Sequence, residues 1–170
     1  MFGADYFAKR LLNTLFFSYL CKKKNMDSIK NRRSIRKYKQ DEIPASLLND
    51  LLEEAFRAST MGNMQLYSVV VTRDKQMKEK LAPAHFNQPM VTGAPVVLTF
   101  CADLTALVNG VGHAKRNRDM IILSLFLNAA TDALLVTQNF CTLAEEHGLG
   151  ICYLGTTIYN PDQIVEILQL

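Results

Sequence analysis

Between residues 44 and 56 the segment PASLLNDLLEEAF sets Leu47, Leu48, Leu51, Leu52, Ala55 and Phe56 at the three- and four-residue spacing of one helical face. The spacing predicts a helix with Pro44 in its first turn, where a missing N–H leaves no bond unmade. TMGNMQ (60–65) breaks the pattern with Gly62 and Asn63 and reads as a loop. LYSVVVT (66–72) is short and β-branched, as a buried strand would be. RDKQMKEKLA (73–82) predicts a polar, exposed helix, and APVVLTFCAD (94–103) a second buried strand.

After an irregular stretch, LTALVNGVGHAKRNRD (104–119), the chain runs from Met120 without Gly or Pro as far as Gly148. Apolar residues wrap most of this run, but Asn128, Asp132, Gln138 and Asn139 interrupt it. The interruptions argue against a membrane span and for a central helix packed on several sides, ended by Gly148 as a left-handed cap. ICYLG (151–155) reads as a short strand or turn. NPDQIVEIL (160–168) reads as a helix with Asn160 as N-cap and Pro161 at the first helical position. The order α-β-α-β-α-β-α describes an α+β or α/β layered protein without repeats.

The length of 170 residues fits one domain, and an apolar fraction of 49% with 21% charged residues fits a folded globule. The segment LLNTLFFSYLC (11–21) is too short to span a bilayer, and three lysines directly after it do not follow the pattern of a signal peptide. It fits either an aromatic-rich interfacial helix or an extension ahead of the true domain. We read residues 1–26 as an extension and 27–170 as the domain. Cys21, Cys101, Cys141 and Cys152 show no C-x-x-C spacing, and His85, His113 and His147 form no metal-binding pair. Neither a zinc site nor a disulfide framework is suggested, and a reducing cytoplasm is the simplest location.

Charge changes the picture locally. Lys22, Lys23, Lys24, Lys30, Arg32, Arg33, Arg36, Lys37 and Lys39 fall in one short stretch with a single acid, Asp27, although the net charge is only +3. The remainder of the chain is net acidic. A broad nucleic-acid surface would carry positive charge elsewhere too, so one local anion fits better. In RRSIRKY, Arg32, Arg33 and Arg36 can bind phosphate through paired, charge-assisted hydrogen bonds, with Ser34 adding a hydroxyl. On spacing alone a solvated charged face fits equally well. Small and amide residues of STMGNMQ could serve a polar ring or ribityl hydroxyls, or form a plain loop. Asn87 and Gln88 of HFNQP could read the edge of a heterocycle or cap a turn. GLGICYLGTT (148–157) does not match a dinucleotide fingerprint, although backbone N–H groups near Gly155 could donate to a ring carbonyl. With no catalytic triad, nucleophile elbow or P-loop, the pattern favours a site whose cofactor carries the chemistry.

Taken in order, RRSIRKY, ASTMGNMQLYSVVV, FNQPMVTGAPVVLTFCAD and AEEHGLGICYLGTTIYNPDQIVEIL resemble the nitroreductase-like, FMN-dependent oxidoreductase family over roughly residues 27–170. The resemblance implies an α+β fold, a central mixed or antiparallel sheet flanked by helices with one long central helix, and an obligate homodimer with FMN at the subunit interface. By family position, Arg32, Arg33, Ser34 and Arg36 match the segment that holds the flavin phosphate and ribityl chain. Asn87 and Gln88 match the isoalloxazine edge, and Leu154, Gly155 and Thr156 the backbone facing the ring from the other side. Thr60, Met61, Asn63 and Gln65 match the loop that reaches flavin bound mainly by the partner subunit.

The activity implied is ping-pong: hydride passes from NADPH or NADH to flavin N5, and then to a nitroaromatic, quinone or similar small-molecule electron acceptor. Residues 104–119 would shape the mouth of the site, with no role assigned to Arg116 or Arg118 beyond contact with NADPH. Family members continue past VEILQL into a further strand, an extended arm and basic residues at the phosphate. A shortened gene product is therefore an expectation, and with it a second reading: a flavin-binding or dimerisation scaffold without turnover. Neither nucleic-acid binding nor a membrane span is expected.

Overall fold

A computed structural model of the chain describes residues 27–105 and 118–170. The extension 1–26 and most of the irregular 104–119 stretch, Arg116 included, lie outside the described residues. The architecture is α+β: α1 (Asp27–Asn31), α2 (Ala45–Ala55), β1 (Tyr67–Thr72), α3 (Lys75–Leu81), α4 (Pro89–Gly93), β2 (Val97–Ala102), α5 (Arg118–Glu146) and α6 (Pro161–Leu168). Short 3-10 turns at Met61–Asn63, Pro83–His85 and Gly155–Ile158 punctuate it.

β1 and β2 pair antiparallel in the register Tyr67 with Ala102 through Thr72 with Val97. The strands are half-buried rather than buried, and Val71 is exposed. One face of the ladder is covered by α5, where the Phe100 and Phe140 rings sit 6.1 Å apart. On this face the main core forms, with Leu48, Leu51, Leu52 and Ala55 of α2 meeting Val136, Phe140 and Ala144 of α5. Full burial of each such leucine contributes about 1.5–3 kcal/mol, so the spacing seen in the sequence is what glues α2 to α5. Leu47 is only partly buried, and Phe56, expected on the same face, is exposed just past the helix end, 5.8 Å from the Tyr67 ring. Pro44 stands one residue before the helix, at the N-cap position.

The long helix appears as expected. Gly148, with φ +76°, ends it in the left-handed region that favours glycine. Three expectations need correction. α3 is not uniformly exposed: Lys78 and Leu81 are buried, and Lys78 Nζ donates to the Ala94 carbonyl at 2.7 Å. Residues 151–154 join no strand ladder; they run extended into the 3-10 turn, anchored by Ile35 N–H donating to Ile151 O at 2.9 Å. Asn160 occupies the N-cap position of α6, but its side chain does not cap; it donates to Ala84 O at 2.9 Å. A second, smaller core gathers Leu81, Ala82, Ala84, Val91 and Ile164, with Leu154 packed against it.

Candidate functional site

Arg32, Arg33, Ser34 and Arg36 lie exposed on an extended stretch after α1. That stretch is held close against residues 150–151. Beyond the Ile35–Ile151 bond, a Cβ on Gly150 would come within 2.8 Å of the Ile35 Cβ and Cγ2 atoms. Only glycine permits this approach. Among the described residues, none of the three guanidinium groups makes an ion pair; the single ion pair there joins Lys75 and Glu79. Unpaired guanidinium groups beside a hydroxyl form a donor set suited to a phosphate dianion.

Arg32 and Arg33 line an open cavity of about 1370 Å³ that also takes in His85, Tyr153, Leu154 and one edge of β2 at Leu98. Arg32 is near the Cys141–Tyr153 pair. Burial pushes the Tyr153 hydroxyl well above the ordinary tyrosine range, reinforced by Cys141, while Arg32 opposes the shift. Burial likewise raises the Cys141 thiol, with Tyr153 and Arg32 acting against it. Both groups stay protonated at neutral pH; the charged lining of the cavity sets Arg32, Arg33, Lys37 and Lys39 against the carboxylates of Asp41, Glu42, Glu145 and Glu146.

Asn87 and Gln88 follow a tight corner at which Phe86 and Asn87 both take positive φ, +55° and +54°. Asn87 is exposed and Gln88 half-buried. The corner is bound to the 154–160 segment by three contacts. His85 Nδ1 and Thr156 Oγ1 are 2.9 Å apart, Asn160 reaches Ala84 O, and the Phe86 and Tyr159 rings meet edge-on at 5.8 Å. His85 is 4% exposed, and burial lowers its pKa. The structure thus holds the Ala84–Phe86 corner, which Asn87 and Gln88 follow directly in the chain, against Thr156, Tyr159 and Asn160.

It places Thr60, Met61, Asn63 and Gln65 elsewhere. Their turn carries φ of +57°, +55° and +54° at Gly62, Asn63 and Gln65 and is fastened to α5 at Asp132. Cys141, beside Arg32, lies nine residues further along α5, about 14 Å at 1.5 Å per residue. None of these four residues lines the large cavity, and of the other expected site residues only Arg32, Arg33 and Leu154 do; Ser34, Arg36, Asn87, Gln88, Gly155 and Thr156 lie outside its lining. Arg118 opens α5, outside the residues whose side chains are described.

Sequence reasoning misses His85, Asp132, Gly150 and the true role of Asn160. Asp132 does carry a signal, since a carboxyl group inside an apolar helical run needs a partner. A histidine between two loops and a glycine facing a distant isoleucine carry none. Among the described residues no group of three or more His, Cys, Asp or Glu is placed to hold a metal, and no helix is long and apolar enough to cross a membrane.

The model of the Nitroreductase family matches residues 29–170. An FMN reductase (NADPH) of Bacillus subtilis is 34% identical over 151 residues, covering 85% of this chain and 59% of the relative. A crystal structure of a Bacteroides fragilis protein assigned as an oxidoreductase is 62% identical with a TM-score of 0.76, over 85% of this chain and 58% of that one. An NADPH:FMN oxidoreductase from Vibrio harveyi, complexed with NAD+, is 29% identical with a TM-score of 0.75, over 85% and 61%. The chain therefore spans about three fifths of the length of the proteins it matches.

Proposed function

The chain belongs to the nitroreductase family, and on that premise we propose that it acts as an FMN-dependent NAD(P)H oxidoreductase, with residues 27–170 as its flavin-binding unit. The observation that carries this reading is the large cavity on which Arg32 and Arg33, without an ion pair among the described residues, meet the Leu154 segment, itself bonded through Thr156 to His85, two residues before Asn87.

These residues fit FMN. Arg32, Arg33 and Arg36, with Ser34, offer donors to the phosphate and ribityl chain. Asn87 and Gln88 offer amides to the ring edge, and Leu154, Gly155 and Thr156 offer backbone to the ring from the opposite side. The chemistry supplied by bound FMN is two-electron transfer in a ping-pong cycle, with hydride arriving from NADPH or NADH and leaving to a nitroaromatic, quinone or similar small acceptor. The chain's own task is to orient and to exclude water. Apolar Val96, Leu98 and Phe100 on the cavity wall offer surface for a ring to pack against, and the guanidinium groups of Arg32 and Arg33 offer donors to an anionic ligand group.

A homodimer completes the site. α5 exposes Leu123, Phe126 and Leu127, an apolar face of the kind an obligate interface buries. Such pairing would let the Thr60–Gln65 turn of one subunit approach FMN held by the other. Among the described residues the three cysteines, Cys101, Cys141 and Cys152, are free thiols, which suits the cytoplasm.

The test is reconstitution with FMN followed by desalting, then NADPH and NADH oxidation with menadione or nitrofurazone as acceptor. Stoichiometric flavin with turnover is expected. A folded dimer that takes up no FMN overturns the reading, and bound flavin without turnover favours the scaffold.

A further inference from the structure

A carboxyl group buried in a helix is accounted for by what it holds. Asp132 is 0% exposed, halfway along α5, with Ala129, Ala133 and Val136 buried around it. Its Oδ1 accepts from Met61 N–H at 2.7 Å and its Oδ2 accepts from Leu66 N–H at 3.4 Å. These two amides stand at the two ends of one turn, between which Gly62, Asn63 and Gln65 all take positive φ. Left-handed backbone at two non-glycine residues persists only where the surroundings over-determine it. Among the described residues, no other side chain hydrogen-bonds to the backbone of 60–66. The turn is otherwise exposed from Met61 to Gln65, so it has little packing of its own to hold that shape.

We infer that Asp132 is a positioning residue for the cofactor: gripping both ends of the 61–66 turn from α5, it presents Met61, Asn63 and Gln65 in the one loop shape that reaches FMN. The inference rests on the proposed flavin reading and goes beyond it by assigning the loop's geometry to a residue that does not itself touch the ligand. A packing role and a gripping role differ in what they require. Packing needs only volume, which leucine supplies. The grip needs two acceptor oxygens. Asparagine retains one and turns an N–H2 donor toward a second donor, and leucine retains none.

The experiment uses the full chain as wild type, Asp132→Asn and Asp132→Leu, with FMN as the probe. Amide hydrogen exchange of the flavin-free protein reads the grip, and fluorescence titration with FMN reads its consequence. Exchange at both Met61 and Leu66 is expected to quicken on the order of tenfold or more in Asp132→Leu, and mainly at one of them in Asp132→Asn. Val70 and Thr99, paired in the β1–β2 ladder, are expected to keep wild-type exchange. The FMN dissociation constant is expected to rise on the order of tenfold for leucine and less for asparagine. Unchanged exchange at Met61 and Leu66 overturns the inference, as does faster exchange with wild-type FMN affinity. A wild type without measurable FMN affinity overturns the flavin reading, and the inference's cofactor half with it. Normal wild-type affinity shared by both variants overturns the inference alone. Should Asp132→Leu not fold, Asp132→Asn decides by the same two readouts.

Discussion

His85 Nδ1 and Thr156 Oγ1 lie 2.9 Å apart, a bond between residues separated by 71 positions that joins the two segments read as facing opposite sides of the flavin ring. Because His85 is buried and its pKa lies below the ordinary value of 6.5, the unfolded chain binds a proton there that the folded chain does not. Stability therefore rises with pH across that window. The His85 contribution is intact above about pH 6.5, declines as pH falls below it, and levels off once pH is beneath the folded-state value. Urea midpoints measured from pH 5 to 8 are expected to fall more steeply on the acid side for wild type than for His85→Gln. Identical slopes would mean that His85 does not titrate differently on folding.

Arg32→Ala is expected to weaken FMN by roughly ten- to a hundredfold while leaving riboflavin nearly unaffected, because only FMN offers a dianion to the guanidinium group. Paired titrations with the two ligands read the difference. Equal losses would identify Arg32 as a packing residue of the cavity wall.

Gly150→Ala is expected to destabilise the fold by about 1–3 kcal/mol, since the new methyl group meets the branched Cβ of Ile35 rather than a flexible side-chain end. Denaturant unfolding measures it. FMN affinity should fall as well, because the displaced stretch carries Arg32 and Arg33. A variant as stable as wild type would show that the 32–39 stretch yields freely.

Asn160→Ala removes a bond to the Ala84 carbonyl and is expected to lower stability by about 1 kcal/mol. Its double-mutant cycle with His85→Gln is expected to show coupling, since both side chains fasten the same corner. Strict additivity would make them two independent bonds.

Phe126→Glu places a charge on the exposed apolar face of α5. A monomer by sedimentation and loss of retained flavin are expected together. A dimer that persists would locate the interface on another face.

Much of the framework is legible in the sequence because it rests on local periodicity. Leu48, Leu51, Leu52 and Ala55 are buried where their spacing put them, and the long helix stops at Gly148. Burial of β1 and β2 was overestimated because β-branched runs look alike whether one face or two are covered; only the sheet's neighbours decide. ICYLG has strand-like residues, yet a strand needs a ladder partner, and residues 151–154 find a single backbone bond to Ile35 instead. Of the site, the residue types were legible and the fasteners were not. Asn139 and Asp132 interrupt an apolar run for reasons no spacing states: one donates to Ala55 O at 3.2 Å, the other accepts from the 61–66 turn.

The bonds that shape the site share one property. Met61 to Asp132 and His85 to Thr156 each span 71 residues, and Ala84 to Asn160 spans 76, whereas the helices close their bonds within a turn. Closing large loops comes late on the route to the native state, because the entropy of bringing distant residues together is lost before the contact returns anything. Helices α2 and α5 and the β1–β2 ladder, whose partners from Thr72–Val97 to Tyr67–Ala102 lie much closer in the chain, can thus exist before there is a place for a ligand. A cofactor that binds only the finished arrangement would draw the last step to completion by mass action, so flavin supply would govern how much of the chain reaches its native state as well as how much of it turns over.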